Sequence, residues 1–487
     1  MTSGRQLQAL GPAYGRLRAA LTTTISSSLT NKSEAQATER RIPNCLADYY
    51  KLSADWSDCL LAATAEGNTG FFKFGPHVTC FGKSTTGAVA NAVDADLYDA
   101  MNDVRLAGCT VHLPFDPAEL VQNLYRERYQ ENLRPLWEQI IGREIPQKCY
   151  YVIRHFLPFR LRRAMQQAYF SGWKKRSFPR WPVDSTVDTF HEELLKLAMN
   201  ARSVQKVPFI WFWPDGAPSC FIMTHDVEDS IGRDLSGQLM DIDESYGFRA
   251  SFEVIPEERY EVSQTYIDEI RRRGFELNVH DLNHDGHLYH EKKEFLRRAK
   301  RINEYVRHFN SRGFRAGSMH RNIDWYDVFE FSYDMSIPNV AHLEPKHGGC
   351  CTVMPFFVGS ILELPLTTTQ DYSLFHILDD YSIELWKKQL AIIRDKNGLM
   401  SFITHPDYLT SARERKVYSS LLNYLREMVA QERIWAPLPR EVDSWWRARR
   451  DMKLIPAGDG WAIQGKGSER ARVAYAVLRD GHLSYEL

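Results

Sequence analysis

Two short stretches concentrate the side chains that bind metal ions or move protons in proteins. The first, FIMTHDVED at residues 221–229, ends an apolar run with three carboxylates, Asp226, Glu228 and Asp229. Carboxylates crowded at one strand end repel one another unless a cation or an arginine compensates their charge. A metal ion is one such compensator. The structural alternative is an aspartate that caps the helix after the strand.

The second stretch, VHDLNHDGH at residues 279–287, adds nitrogen ligands. Three residues separate His280 from His284, so on a helical turn both imidazoles would point the same way and could share one ion, as in many zinc sites. His287 and His290 are further candidates, but they lie on the following segment, where we expect exposure to solvent.

Three downstream motifs supply acid, base and charge partners. Arg315 lies in GFRAGSMHRN, Asp371 in ELPLTTTQDYSLF and His405 in SFITHPDY. Arg315 could hold a carboxylate ionised through a charge-assisted hydrogen bond. His405 has the chemistry of a general acid near neutral pH. The structural alternatives are a surface ion pair for Arg315 and a capped strand end for His405.

The segments that must position these residues alternate between strands and helices after Pro208. The apolar runs SCFIMTHD, RASFEVIP, FELNVH and LMSFITHP predict buried strands, and YIDEIRRRG and SIELWKKQLAIIRDKNG predict amphipathic helices between them. This order indicates an α/β fold with a largely parallel sheet, open or closed into a barrel. Ligand sites in such folds lie at the carboxyl ends of the strands, where these histidines and acids occur.

The ordered set of motifs resembles the polysaccharide deacetylases of the NodB homology domain, carbohydrate esterase family four. The resemblance covers about residues 215–450. It implies a distorted (β/α)7 barrel, and it implies a bound divalent metal ion, usually Zn²⁺. We therefore expect an α/β fold of this barrel type, with an N-terminal α+β region and a small C-terminal β appendage.

The resemblance also implies roles for the residues of the first two motifs. The family's catalytic base matches Asp226, and its acidic metal ligand matches Glu228. The metal-binding histidines of the family match His280 and His284. Because aspartate is usual at the position of Glu228, the neighbouring Asp229 is an alternative third ligand.

The remaining roles fall on the later motifs. The arginine that tunes the base matches Arg315, and the catalytic acid matches His405, with Asp371 a candidate to orient that histidine. Two details differ from the family pattern: RAGS lacks the usual proline, and SFIT replaces a leucine-rich lead. These changes indicate a divergent branch in which the substrate differs more than the mechanism.

The function expected from the resemblance is metal-dependent hydrolysis that removes an acyl group, most simply acetyl, from the amide nitrogen of an N-acetylated sugar or sugar-containing precursor. One alternative is a metal-dependent C–N hydrolase, a deacetylase, deformylase or imidase, that acts on a non-carbohydrate amide. The other alternative is a catalytically dead carbohydrate-binding protein.

The chain of 487 residues is long enough for two or three domains. We predict a flexible N-terminal segment at residues 1–40, an accessory α+β region at 41–205, the catalytic domain at 206–450 and a small β appendage at 451–487. The appendage is predicted from period-two alternation around the turn sequence RDGH.

Charge and hydropathy exclude some classes of partner. With 61 basic and 62 acidic side chains, no bulk preference for nucleic acid is expected. The N-terminus lacks the apolar stretch of a signal peptide, and no run of 18 apolar residues occurs, so we expect a cytoplasmic protein. The expected partner is an N-acetylated sugar or a related small amide.

One segment departs from this even charge distribution. Residues 154–180 carry eight arginines and lysines and no acid, interleaved with aromatic residues. Such a segment can lie on an anionic membrane surface or hold phosphate groups, which would make the protein membrane-associated in the first case. The alternative, which we favour from the sequence, is a solvated face whose aromatic residues pack on the neighbouring domain.

Overall fold

Residues 45–56, 58–62, 66–93, 96–133, 165, 167–170 and 172–487 are described in this computed structural model. The predicted flexible segment at residues 1–40 lies outside the described residues, as does most of the basic aromatic segment up to residue 164. Within the described part, no helix is both long enough and apolar enough to cross a membrane.

The regular elements are labelled here in chain order. Among the described residues, the α-helices α1 to α9 are Cys45–Tyr50, Pro117–Tyr125, Thr186–Ala201, Ser230–Ser245, Gln264–Arg272, Lys292–His308, Glu384–Asp395, Ala412–Glu432 and Pro439–Asp451. The strands β1 to β18 are Leu60–Ala62, Gly70–Phe74, Val78–Gly82, Arg105–Ala107, Thr110–Leu113, Lys206–Ile210, Cys220–Val227, Ser251–Val254, Glu276–His280, Gly313–Arg315, Tyr333–Asp334, Phe356–Val358, Ile361–Glu363, Leu399–Thr404, Lys453–Ala457, Gly460–Gln464, Val473–Arg479 and His482–Glu486.

The central sheet has the strand order β12-β13-β11-β10-β9-β8-β7-β14. Seven of these strands pair in parallel, and only the edge strand β12 runs antiparallel to its neighbour. No pairing between β14 and β12 or β13 closes the sheet within the described residues, so it is an open half-barrel. The predicted α/β fold of the seven-stranded distorted barrel type is confirmed.

Burial on both faces explains why the central strands have nearly continuous apolar sequences. Every residue of β7, β9 and β14 is buried. Helices α4, α5 and α6 connect β7 to β8, β8 to β9 and β9 to β10 and so link neighbouring parallel strands. Each strand therefore delivers the residue at its carboxyl end to the same edge of the sheet.

The N-terminal region has its own small sheets. Strands β1, β5 and β4 form one sheet, and β2 and β3 form a hairpin, while α2 and α3 lie in the same region. It contacts the barrel through a buried ion pair between Glu127 and Arg321 and through stacked rings of Tyr125 and Phe356. Both regions contribute side chains to one continuous hydrophobic core.

The C-terminal residues form two antiparallel hairpins, β15–β16 and β17–β18. The second hairpin turns at Asp480 and Gly481, which both have positive φ, as the sequence RDGH predicts. Its other edge pairs with β6, which we expected to begin the catalytic domain. The boundaries placed at residues 205 and 450 remain predictions.

Candidate metal and acid–base site

Residues from separate motifs meet at one edge of the central sheet. Asp226 lies near the end of β7, His280 ends β9, Arg315 ends β10, and His405 follows β14. The strand register places Arg315 beside His280 and Thr404 beside His225. Because the strands are parallel, residues distant in the chain are brought to a common rim.

At this rim, His280 forms a group with Glu228 and His284 that could hold a metal ion. One ligand atom from each of Glu228, His280 and His284 lies within 4.8 Å of the others. The Glu228 Oε1 atom is 3.1 Å from His284 Nε2 and 4.0 Å from His280 Nε2. Both Nε2 atoms are buried and have no hydrogen-bond partner among the described residues. Buried nitrogen atoms without a partner beside a carboxylate fit a cation such as Zn²⁺.

The histidine pair is not arranged as the sequence spacing suggested. We expected a helical turn, but residues 281–286 form a loop, so that prediction is wrong. Asp281 and His284 have φ values of 56° and 55°, and this left-handed backbone folds the loop so that the imidazole rings lie 4.9 Å apart. Aspartate and histidine tolerate this conformation better than most residues.

Hydrogen bonds hold the loop in place. Asp281 accepts hydrogen bonds from the backbone N–H groups of Leu282 and Gly317. Arg259 donates to the backbone oxygens of Asn283 and His284 at 3.1 and 2.7 Å. These contacts give the His284 ring a defined position before any ligand binds.

Gly317 makes the close packing of this loop possible. A Cβ at residue 317 would lie 2.6 Å from the Asp281 carboxylate and 2.8 Å from the His284 ring. Both distances are too short for a real side chain. Glycine is therefore required here because of the space that the loop occupies.

The tautomer of His280 follows from its hydrogen bond. Its Nδ1 atom is 3.1 Å from the backbone oxygen of Arg315. A carbonyl oxygen can only accept, so Nδ1 carries the proton when the ring is neutral. The lone pair of Nε2 then points toward Glu228, as a metal ligand requires.

The two adjacent acids after β7, Glu228 and Asp229, lie in different surroundings. Asp229 is the N-cap of α4 and accepts a hydrogen bond from Gly232 N–H at 2.8 Å, which is the structural role considered for this motif. Glu228, rather than Asp229, lies with the histidines. His287 does not belong to this group of metal-ligand candidates. Its half-exposed ring faces the Asp285 carboxylate, with Nδ1 3.4 Å from Oδ2.

Asp226 is buried and is held by Arg315. The Arg315 Nη1 atom donates to Asp226 Oδ1 at 2.5 Å and to Thr224 Oγ1 at 2.8 Å, and its Nε donates to the backbone oxygen of Met335. Burial raises the pKa of Asp226, but the attraction of Arg315 and of nearby histidines outweighs burial and lowers that pKa. The carboxylate is therefore ionised and available to accept a proton.

A second carboxyl group beneath Asp226 was not anticipated from the sequence. Glu253 on β8 is fully buried, 3.7 Å from Arg315, and accepts a hydrogen bond from the backbone N–H of His225. Burial raises the pKa of Glu253, and the nearby charge of Asp226 raises it further. A glutamate inside the otherwise apolar run SFEVI was the signal that could have revealed it.

His405 and Asp371 form the acid side of the site. His405 Nδ1 is 2.6 Å from Asp371 Oδ1, and the His405 backbone N–H donates to Asp371 Oδ2. Burial lowers the pKa of His405, but the charge of Asp371 and its hydrogen bond outweigh burial and raise the pKa to about 10. The Nε2 atom is 3.8 Å from Glu228 Oε1, so it faces the metal-ligand group.

The structure thus brings all seven predicted site residues to one rim: Asp226, Glu228, His280, His284, Arg315, Asp371 and His405. Their roles in catalysis or metal binding stay predictions. The arrangement combines a cation site, an ionised carboxylate and a protonated imidazole, which together are suited to hydrolysis.

Similarity to known proteins is found among solved structures. No protein-family model and no curated protein matches the chain. Among solved structures, a Mycobacterium smegmatis protein described as a polysaccharide deacetylase is 19% identical, with a TM-score of 0.40, covering 51% of this chain and 97% of its own. The peptidoglycan deacetylase PdaC from Bacillus subtilis is 11% identical, with a TM-score of 0.31, covering 48% of this chain and 93% of its own.

An allantoinase structure is also similar, at 11% identity and a TM-score of 0.37, covering 48% of this chain and 92% of its own. All three of these structures have TM-scores below 0.5 and identities below 20%.

Proposed function

We propose that the protein is a metal-dependent hydrolase that removes the acetyl group from the nitrogen of an N-acetylated sugar. The observation that carries this proposal is the juxtaposition of two unpartnered buried imidazole nitrogens with Glu228, Asp226 and His405. A site with only a structural role would have no need of all these groups in one place.

Glu228, His280 and His284 would hold the ion, which we propose to be Zn²⁺. When bound, such an ion polarises an acyl oxygen and lowers the pKa of a bound water to about 7. The Nδ1 hydrogen bond of His280 to the backbone orients its ring for this purpose.

Asp226 would act as the general base. Its carboxylate is kept ionised by Arg315 and lies 3.8 Å from His280 Nε2, one of the proposed metal ligands. It can therefore accept the proton of that water as the acyl carbon is attacked. Arg315 holds one carboxylate oxygen, so the other oxygen is left to take the proton.

His405 would act as the general acid. The ring is protonated near neutral pH because Asp371 stabilises the imidazolium, and its Nε2–H faces the site. That proton can pass to the departing amine nitrogen, which is a poor leaving group unless it is protonated. Asp371 acts through His405 and is a positioning residue.

Measurements of metal content and acetate release on purified protein would test the proposal. We expect about one Zn²⁺ per chain and acetate release from N-acetylglucosamine oligomers or from sugar precursors. Asp226→Asn should abolish turnover and keep the metal, whereas His280→Ala should lose the metal as well. Near-normal turnover by Asp226→Asn would contradict the assignment of the base.

The same assay separates the alternatives. Metal without release of acetate from any sugar, but with hydrolysis of formamides or cyclic imides, would indicate a hydrolase of non-carbohydrate amides. Failure to bind metal under replete conditions would indicate a binding protein without activity. We propose a cytoplasmic location, so the natural substrate would be a sugar precursor in the cell.

A further inference from the structure

The described part of the basic aromatic segment is connected to His405 through two intervening residues, His376 and Tyr408. The His405 ring is 4.6 Å from the Tyr408 ring, which is 5.1 Å from the His376 ring. Gln167 at the start of this segment's described part donates to the backbone oxygen of His376 at 3.2 Å. A short series of direct contacts therefore connects the acid of the site to the accessory region.

A small hydrophobic cluster anchors this connection. Phe170 packs with Leu343 and Ile377, and partly buried aromatic rings cover the cluster: Trp173, Trp181 and Tyr372. The Tyr372 ring is 5.6 Å from the Tyr408 ring, and the Trp173 ring is 4.6 Å from the Trp181 ring. The accessory region thus contributes aromatic faces to the same side of the molecule as His405.

Hydrogen bonds fix the end of the segment against the chain that carries Asp371. Gln389 donates to the backbone oxygen of Pro182 at 3.1 Å, and its side-chain oxygen accepts from the Thr369 N–H at 3.0 Å. Thr369 is two residues before Asp371. The segment is therefore tied to the framework that orients His405.

The charged side chains at the end of this segment are all positive. Residues 172–183 contain four cations, Lys174, Lys175, Arg176 and Arg180, and no acid, in a chain whose net charge is −1. Lys174 and Lys175 are exposed on the short helix Trp173–Lys175, and neither forms an ion pair with any residue that the structure describes. The Lys174 Nζ atom lies 5.6 Å from the centre of the Trp173 ring. Exposed ammonium groups that form no ion pair attract anions.

We propose that Trp173, Lys174, Lys175, Tyr372 and Tyr408, here called the basic rim, bind the phosphate-bearing part of an N-acetylated sugar substrate. This inference rests on the proposed function. The lysines would contact phosphate oxygens, and the aromatic rings would pack on the sugar or on an attached base. A neutral sugar polymer would make no use of the two lysines.

Sugar phosphates of this kind have two sources, a soluble nucleotide-linked sugar and a lipid-linked sugar diphosphate. Both present a phosphate ester next to an N-acetyl sugar, which is the chemistry that the basic rim would recognise. A soluble nucleoside diphosphate sugar and a short-chain polyprenyl diphosphate sugar distinguish them in the assay below.

The test compares four substrates on the metal-loaded enzyme: methyl N-acetylglucosaminide, N-acetylglucosamine 1-phosphate, a nucleoside diphosphate N-acetylglucosamine and a short-chain polyprenyl diphosphate N-acetylglucosamine. We expect kcat/KM at least about tenfold higher for the phosphorylated substrates, a gap that narrows as salt is added. The double variant Lys174→Ala, Lys175→Ala should raise KM for the phosphorylated substrates about tenfold. The KM for the neutral substrate should not change.

A charge-matched control removes two exposed lysines of the C-terminal stretch, Lys453→Ala with Lys466→Ala, and should alter neither KM. A second readout is the affinity of the Asp226→Asn variant for N-acetylglucosamine 1-phosphate by calorimetry, which needs no turnover. Removing both rim lysines should weaken that affinity by a similar factor.

The outcomes separate this inference from the proposed function. Equal kcat/KM for charged and neutral substrates would overturn the basic rim and leave the deacetylase standing. Lysine-dependent binding of the sugar phosphate without hydrolysis of any N-acetyl sugar would support the rim and overturn the activity. Lysine-dependent binding to anionic vesicles, with no preference among the sugars, would assign the segment to a membrane surface and overturn the rim.

Discussion

Two buried histidines have aspartate partners: His225 on β7 and His405 directly after the neighbouring strand β14. The two pairs differ in one respect. His225 Nε2 is 2.9 Å from Asp243, and its Nδ1 is 2.8 Å from Thr404 Oγ1, so both ring nitrogens have partners. His405 is paired with Asp371 through Nδ1 alone. Within the part of the chain that the structure describes, its Nε2 forms no hydrogen bond and faces Glu228.

Residue type and burial therefore do not distinguish a structural histidine from one that is proposed to be catalytic. Both rings are almost completely inaccessible, and both have a buried carboxylate partner. What differs is the second nitrogen, which is satisfied in His225 and directed into the site in His405. Substitutions at His405, His225 and Asp371 test this difference, and a substitution at Gly317 tests the metal ligands.

His405→Ala should lower kcat by about 10²–10⁴-fold, because the leaving amine loses its proton donor. The loss of stability should be moderate, since Asp371 keeps hydrogen bonds from the backbone N–H groups of Tyr372 and residue 405. Steady-state kinetics and urea unfolding of the same preparation measure both effects. A variant with unchanged kcat would remove His405 from the mechanism.

His225→Ala should destabilise the fold by about 3–5 kcal/mol, because it leaves the buried Asp243 carboxylate without its histidine partner. Tyr418 donates the remaining side-chain hydrogen bond to Asp243. Chemical unfolding measures the free energy, and kcat per folded, metal-loaded molecule should stay within about tenfold of native. A large loss of kcat with native stability would contradict a purely structural role for His225.

Asp371→Asn should lower kcat about 10- to 100-fold, as is typical when the partner of a site histidine is changed. The charge of Asp371 raises the pKa of His405, and the acid acts while protonated. Removing that charge lowers the pKa, so the alkaline limit of activity should move to lower pH. Asp243→Asn is the matched control: it should reduce stability and leave this limit in place.

Gly317→Ala tests the metal side of the site. The new Cβ would press on Asp281 and on the His284 ring, so the dissociation constant for Zn²⁺ should rise about tenfold. Gly237→Ala on α4 is the control, because a Cβ there meets nothing within 4 Å. Competition with a zinc-binding dye measures both, and equal affinities would show that Gly317 does not position the ligand.

Residue periodicity predicted four strands of the central sheet, β7, β8, β9 and β14. Residue type and strand-end position gave the candidate site residues, and the family resemblance selected seven of them. The apolar runs of β7, β9 and β14 are buried on both faces, so their sequence pattern was unambiguous. The motifs after those runs had to meet, because parallel strands end at one edge. The local geometry was less predictable, as the loop between His280 and His284 shows.

Some residues could be placed only with neighbours that are distant in sequence. Glu228 and Asp229 are adjacent acids, and the N–H of Gly232 selects Asp229 as a helix cap while Glu228 turns to the histidines. Glu253 lies next to the site because Arg315, which is 62 residues later in the chain, is 3.7 Å from its carboxylate. No local pattern contains that proximity.

The order of residue types along the chain therefore specified which side chains could do chemistry, because strand hydrophobicity and motif order are properties of short segments. Long-range packing specified which of these side chains lie together at one rim. Whether a buried ring nitrogen meets a hydroxyl, as in His225, or an open site, as in His405, depends on partners from distant strands. The connection of the accessory segment to His405 through His376 and Tyr408 is likewise a consequence of packing, since nothing in the composition of that segment predicts it.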